Sequence, residues 1–132
     1  MRDYQRKRNN RYKLPADLWY RTLYFIRGYE RMRAEYDERI DEGMSIGSDS
    51  APVGKTNRTG DPTAAKAMKL SDLSEQVRAI ERARLAIPYE YVEGIWNNIM
   101  NHDPYPRDAD PRTYGTWKAR FVYEVAKNMR WI

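Results

Sequence analysis

From Leu18 onward the apolar positions fall three or four residues apart: Leu18, Thr22, Phe25, Tyr29, Met32, Tyr36 and Ile40. That spacing gathers them on one face of an α-helix and predicts a single helical stripe over the whole stretch. Pro15 suits the first helical position, where its missing N–H costs nothing, and Asp17 sets a carboxylate at the positive end of the helix. Glu35 and Arg39 stand in the favourable i,i+4 order on the polar side. Gly28 interrupts the pattern at a cost of about 1 kcal/mol relative to alanine, which a close helix–helix contact would explain. Residues 1–13 have no apolar period and read as a basic, flexible arm.

Residues 43–60 are rich in Gly, Ser, Thr, Asn and Pro without periodicity, so they read as a flexible linker. Asp61-Pro62 has the form of a cap followed by a first helical residue. Leu70, Leu73, Val77, Ile80 and Ile87 then follow heptad spacing, with Arg84 at the one remaining core position. Asp72 and Glu75 resemble a capping box, which leaves a helix start or kink near Ser71 as the alternative. Pro88 ends this stripe. Two long amphipathic helices predict an antiparallel hairpin over 14–87 or a dimerising coiled coil, and spacing alone does not choose.

The last third, 88–132, carries two shorter helices. Val92, Ile95, Trp96, Ile99 and Met100 form one apolar face between Pro88 and Asp103-Pro104. Asp110 is placed to cap a final helix with Pro111 at its first position, and Trp117, Phe121, Val122, Val125, Ala126 and Met129 form its apolar side. No stretch alternates as a strand would. The expected fold class is all-α: a long helical hairpin followed by a C-terminal helix-turn-helix-like pair.

Composition narrows the chemistry. The 132 residues include no cysteine and one histidine, which excludes disulfides and thiol chemistry and makes a histidine-rich metal site or a Ser-His-Asp triad improbable. No metal, cofactor or enzymatic activity is expected. The longest stretch free of charge and histidine, Gly94 to Asn101, is too short to span a membrane, so a soluble, intracellular chain is expected. Charge is unevenly spread around the overall +5: residues 1–13 hold six bases against one acid, and 112–132 hold five against one. The middle, 14–111, has 13 bases and 17 acids. Basic ends around an acidic middle suggest a polyanion met at the termini; the plainer reading is that the excess charge serves solubility.

Helices 89–101 and 113–130 have the outline of a helix-turn-helix. The second would offer Arg112, Thr113, Tyr114, Thr116, Lys118, Arg120, Tyr123 and Lys127 to a major groove about 12 Å wide. Thr113 and Thr116 would lie near base edges, with Arg and Lys on phosphates or guanine. The competing reading is an ordinary C-terminal helix with a solvated basic face. In the arm, Arg6, Lys7, Arg8 and Arg11 would add phosphate or minor-groove contacts, or else form a solvated tail. Gly54-Lys55-Thr56 imitates the end of a phosphate-binding loop, but Asp49 stands where that loop needs glycine and no strand precedes it. The acidic cluster Glu35, Asp37, Glu38, Asp41 and Glu42 is interleaved with Arg33 and Arg39 and reads as solvated, while His102 reads as a helix cap or a surface residue. Trp96 and Trp117, on apolar faces, read as core rather than as stacking platforms for bases.

Several short blocks resemble a known family. These are Ile87-Pro88-Tyr89-Glu90-Tyr91, Ile95-Trp96-Asn97-Asn98-Ile99, Tyr105-Pro106-Arg107-Asp108-Ala109, Thr113-Tyr114 with Trp117-Lys118, and Arg120 through Asn128. Leu14-Pro15, Arg27-Gly28-Tyr29 and Gly60-Asp61-Pro62-Thr63-Ala64 fit as well. Together they are similar to the RinA/ArpU-like activators of late genes in phages and prophages of Gram-positive bacteria. The resemblance spans most of residues 14–132 and departs at Met129-Arg130-Trp131-Ile132, where a Leu-Gly pair would be expected. It implies a sigma-region-4-like DNA-binding unit acting in the bacterial host cytoplasm, at the nucleoid, on packaging or lysis genes. The expected partners are double-stranded DNA, a second copy in a homodimer, and host RNA polymerase. The reading from a different class is a non-enzymatic phage interaction or assembly protein, a helical adaptor or small packaging subunit that binds a protein.

Overall fold

The computed structural model describes residues 3–5, 11–49 and 62–132, the side chains of 43–49 and 62–63 excepted. It holds five helices: α1 (Ala16–Arg27), α2 (Tyr29–Asp49), α3 (Pro62–Leu85), α4 (Tyr89–Asn101) and α5 (Pro111–Asn128). Among the described residues there is no strand, so the all-α class holds. None of these helices is long and apolar enough to cross a membrane.

The chain divides into two units, one made of Met1–Tyr29 with Arg78–Ile132 and the other of Glu30–Val77. In the first unit α1, α4 and α5 pack against one another. Trp19, Leu23 and Ile26 from α1, Ile95 and Ile99 from α4, and Tyr114, Phe121, Val122 and Val125 from α5 are all buried there. The C-terminal part of α3 adds Ile80 and Ala83 to the buried set. Arg84, the polar residue in the heptad, lies 4.6 Å over the Trp96 ring. Its aliphatic stem and flat cation suit an apolar position that keeps its head on an aromatic face.

In the second unit Met32, Leu73 and Val77 are buried. The predicted Arg39–Glu35 pair forms at 3.3 Å, and Lys69 Nζ reaches Glu35 Oε2 at 4.0 Å, from α3 to α2. Asp37, Glu38, Asp41 and Glu42 are exposed, as a solvated acidic face requires.

Three expectations need correction. The stripe from Leu18 to Ile40 is not one helix: α1 ends at Arg27 and α2 begins at Tyr29. Gly28 closes α1 through a tightened bond from its N–H to Phe25 O at 3.0 Å, so it marks a break rather than a close helix crossing. The linker begins later than residue 43, because α2 continues to Asp49; the remainder of 43–60 lies outside the described residues. Once a helix is nucleated, each further residue adds a hydrogen bond, which carries α2 through poor helix formers. Finally, α3 is continuous from Pro62 to Leu85, with no new start at Ser71.

The α4–α5 connection is a packed structure. Tyr114 is fully buried, stacks on Tyr105 at 5.0 Å between centroids, and meets Tyr91 edge-on at 5.1 Å. Its hydroxyl donates to Asp108 Oδ1 at 2.6 Å. Asp110 caps α5, accepting from Arg112 N at 2.8 Å ahead of Pro111, as the sequence predicted. Gly94 permits this packing: a Cβ there would fall 2.7 Å from Pro106 Cδ and 2.8 Å from Tyr114 Cε1, both on stiff rings. Gly94→Ala should therefore destabilise despite alanine's better helix propensity. Overpacking costs ~1–3 kcal/mol, offset by up to ~1 kcal/mol of propensity. A lower denaturation midpoint with an unchanged m-value would confirm this, and a raised midpoint would refute it.

Candidate nucleic-acid interface

Helix α5 has two faces of opposite character. Tyr114, Lys118, Phe121, Val122 and Val125 follow i, i+4, i+7, i+8, i+11 and are all buried. Arg112, Thr116 and Lys127 are exposed on the other side, with Thr113, Arg120 and Tyr123 half-buried. The structure thus keeps Arg112, Thr113, Thr116, Arg120, Tyr123 and Lys127 available to a partner and withdraws Tyr114 and Lys118 from the predicted set.

Both withdrawals have a physical cause. Tyr114 is buried under the connector, and losing its proton would set a phenolate beside the Asp108 carboxylate. That hydrogen bond to Asp108, together with burial, pushes its pKa up to about 12. Lys118 is only 6% exposed and donates from Nζ to Asn98 Oδ1 at 2.8 Å, while Asn98 Nδ2 donates to Asp103 O at 2.8 Å. Burial lowers the Lys118 pKa to about 8.

These shifts predict opposite slopes in alkali. The unfolded chain holds the Lys118 proton to near pH 10.5 and the folded chain only to about 8. Stability from this residue is therefore missing below pH 8 and appears as pH rises through 10.5. Against a Lys118→Met reference, the wild type should gain on the order of 3 kcal/mol across that window. For Tyr114 the folded state keeps its proton longer, so against Tyr114→Phe the wild type should lose stability as pH climbs from 10 to 12. Denaturation midpoints of the three proteins at each pH check both slopes, and parallel curves would contradict them.

Asp3 and Gln5 are anchored, which the sequence did not announce. Trp19 Nε1 donates to the Asp3 carbonyl, and Gln5 exchanges two hydrogen bonds with the Leu14 backbone at 2.7 and 2.8 Å. The Asp3 carboxylate pairs with Arg27, which also donates from Nε to Ile99 O at 2.7 Å. His102 Nε2 lies 3.1 Å from the same carboxylate. The Arg27 hydrogen bond holds the Asp3 pKa below its ordinary value, so this tie loosens only as the pH falls through the acid range. His102 itself ends α4 in the left-handed conformation and is exposed, the capping role expected of it.

Residues 11–12 meet α5 directly. The Tyr12 ring lies edge-on to Tyr123 at 5.2 Å between centroids. The Arg11 guanidinium sits 5.1 Å from that ring's centre and the Arg120 guanidinium 4.5 Å. Arg120 Nε also donates to Glu124 Oε2 at 2.9 Å. Arg11 is therefore brought to the same surface as Arg120 and Tyr123, whereas Arg6, Lys7 and Arg8 lie outside the described residues. Sequence reasoning missed Tyr12 and Glu124; the i,i+4 spacing of Arg120 and Glu124 was the available signal for the second.

Residues 129–132 close α5 with a left-handed turn. Arg130 takes φ 61°, the left-handed position where glycine is usual, and Trp131 N donates to Ala126 O at 2.9 Å. Trp131 then packs edge-on to Phe25 at 5.2 Å, beneath Arg21 at 4.0 Å.

No protein-family model matches the chain, and no curated protein or solved structure matches it.

Proposed function

We propose that this chain is a non-enzymatic, sequence-specific DNA-binding regulator of the kind represented by the RinA/ArpU-like phage late-gene activators. One observation carries the reading: Tyr12 brings Arg11 onto the solvent face of α5 beside Arg120 and Tyr123, a face that also holds Arg112, Thr116 and Lys127. Two basic segments more than a hundred residues apart in sequence thus make one surface. In this reading α4 and α5 act as the helix-turn-helix pair. The core face of α5 holds it to α4 and α1, and its basic face enters the major groove. A homodimer on double-stranded DNA in the bacterial host, touching host RNA polymerase at packaging or lysis promoters, belongs to the same proposal.

The test is binding to duplex DNA against salt concentration. Phosphate contacts release counterions, so the logarithm of affinity should fall linearly and steeply with the logarithm of salt. No binding at about 50 mM salt would overturn the reading.

A second reading has its own support. Leu85 is 86% exposed and Tyr89 93% exposed, on either side of the Pro88 turn. Large apolar side chains left this exposed, four residues apart in sequence, suit a protein partner. The interaction or assembly protein remains the alternative, and it predicts binding that is indifferent to DNA.

A further inference from the structure

Resting on the DNA-binding reading, we infer that Arg120 is the specificity residue, selecting a guanine in the major groove, with Glu124 and Tyr12 as its positioning residues. Arg112, Thr116 and Arg120 lie on successive turns of one side of α5. Arg112 and Lys127 are exposed basic side chains, suited to a point charge on a phosphate. Arg120 is fixed at two places: its Nε donates to Glu124, and its guanidinium rests over the Tyr12 ring. Tyr12 is in turn braced by the edge contact with Tyr123.

Two physical arguments separate guanine from phosphate. A bond at Nε turns the opposite edge of the guanidinium, with its two terminal NH2 groups, away from Glu124. That edge is the fork that matches guanine O6 and N7 in a bidentate pair. Charge points the same way. Glu124 is the sole acid among residues 112–132, and its carboxylate largely cancels Arg120 as seen by a distant polyanion. A carboxylate 2.9 Å from a phosphate-binding arginine would repel the phosphate, whereas beside a base edge it only aims the fork. Holding the side chain in place before binding also removes part of the ordering cost that a loose arginine incurs.

The experiment is selection from a random-sequence duplex library with the full chain, wild type and variants side by side, and with melting temperature as the folding control. The wild type should enrich a motif containing one strongly preferred guanine. Arg120→Lys, Glu124→Ala and Tyr12→Ala should each lower the preference at that base pair, by roughly 5- to 150-fold for the lysine variant. The other positions should stay unchanged. Glu124→Gln, which keeps an acceptor for Nε, and Tyr12→Phe, which keeps the ring, should restore most of it. A wild-type motif that all the variants keep intact overturns the inference and leaves DNA binding standing. A wild type that enriches no motif overturns both.

Discussion

Phe121→Ala should remove about 3–5 kcal/mol of stability, the usual cost of emptying an aromatic site in a closed core. Phe121 is 1% exposed, edge-on to Trp96 at 6.4 Å, and flanked on its own helix by the buried Val122 and Val125. Its ring lies on the face that α5 turns toward α1 and α4, so little can collapse into the space it leaves. Domains of this size hold only ~5–15 kcal/mol in total, and the loss would be visible as a large fall in denaturation midpoint. Arg112→Ala, on the opposite face, should stay within ~0.5 kcal/mol of the wild type. A Phe121→Ala midpoint equal to that of Arg112→Ala would show that the two faces of α5 have been assigned wrongly.

Val77→Asp should be at least as damaging. Val77 is 2% exposed, so an aspartate there would be a buried carboxylate. Leaving a buried charge uncompensated costs ~3–5 kcal/mol. The effect carries its own signature, because the variant can escape by taking up a proton. Its deficit should shrink as the pH is lowered and the carboxyl neutralises. Leu85→Asp, later on the same helix at an exposed position, should be nearly silent at every pH. Thermal melts by circular dichroism across pH would decide it, and a pH-independent deficit would mean simple loss of packing instead.

Helix boundaries set by local chemistry were legible in the sequence. Pro88 before α4 and the Asp110-Pro111 cap of α5 are read correctly because each acts on its own neighbours. The α3 core of Leu73, Val77 and Ile80 was equally open to periodicity. Tyr114 and Lys118 were misplaced because residue type was weighed above register. Counting back seven and three from Phe121 reaches both, and a long stem with a polar head can lie in a core if its head finds a partner. Asn98 and Asp108 are those partners, and nothing near residues 114 or 118 on a helical face announces them. The anchoring of Asp3 by Arg27 and Trp19, and of Tyr12 by Tyr123 and Arg120, is tertiary in the same sense. The arm looked unstructured because its apolar period is absent, yet its anchors are single polar and aromatic side chains that no period would reveal.

The proposal stands or falls on Arg11, Arg112 and Lys127 belonging to one DNA-facing surface whose truncation leaves the fold standing. The measurement that tests it most directly is the salt dependence of duplex binding for the wild type and for the triple variant Arg11→Ala, Arg112→Ala, Lys127→Ala, alongside their melting temperatures. The account predicts unchanged melting and a slope of log affinity against log salt that is shallower by about three, one for each lost phosphate contact. A triple variant that melts normally and keeps the full wild-type slope would contradict it.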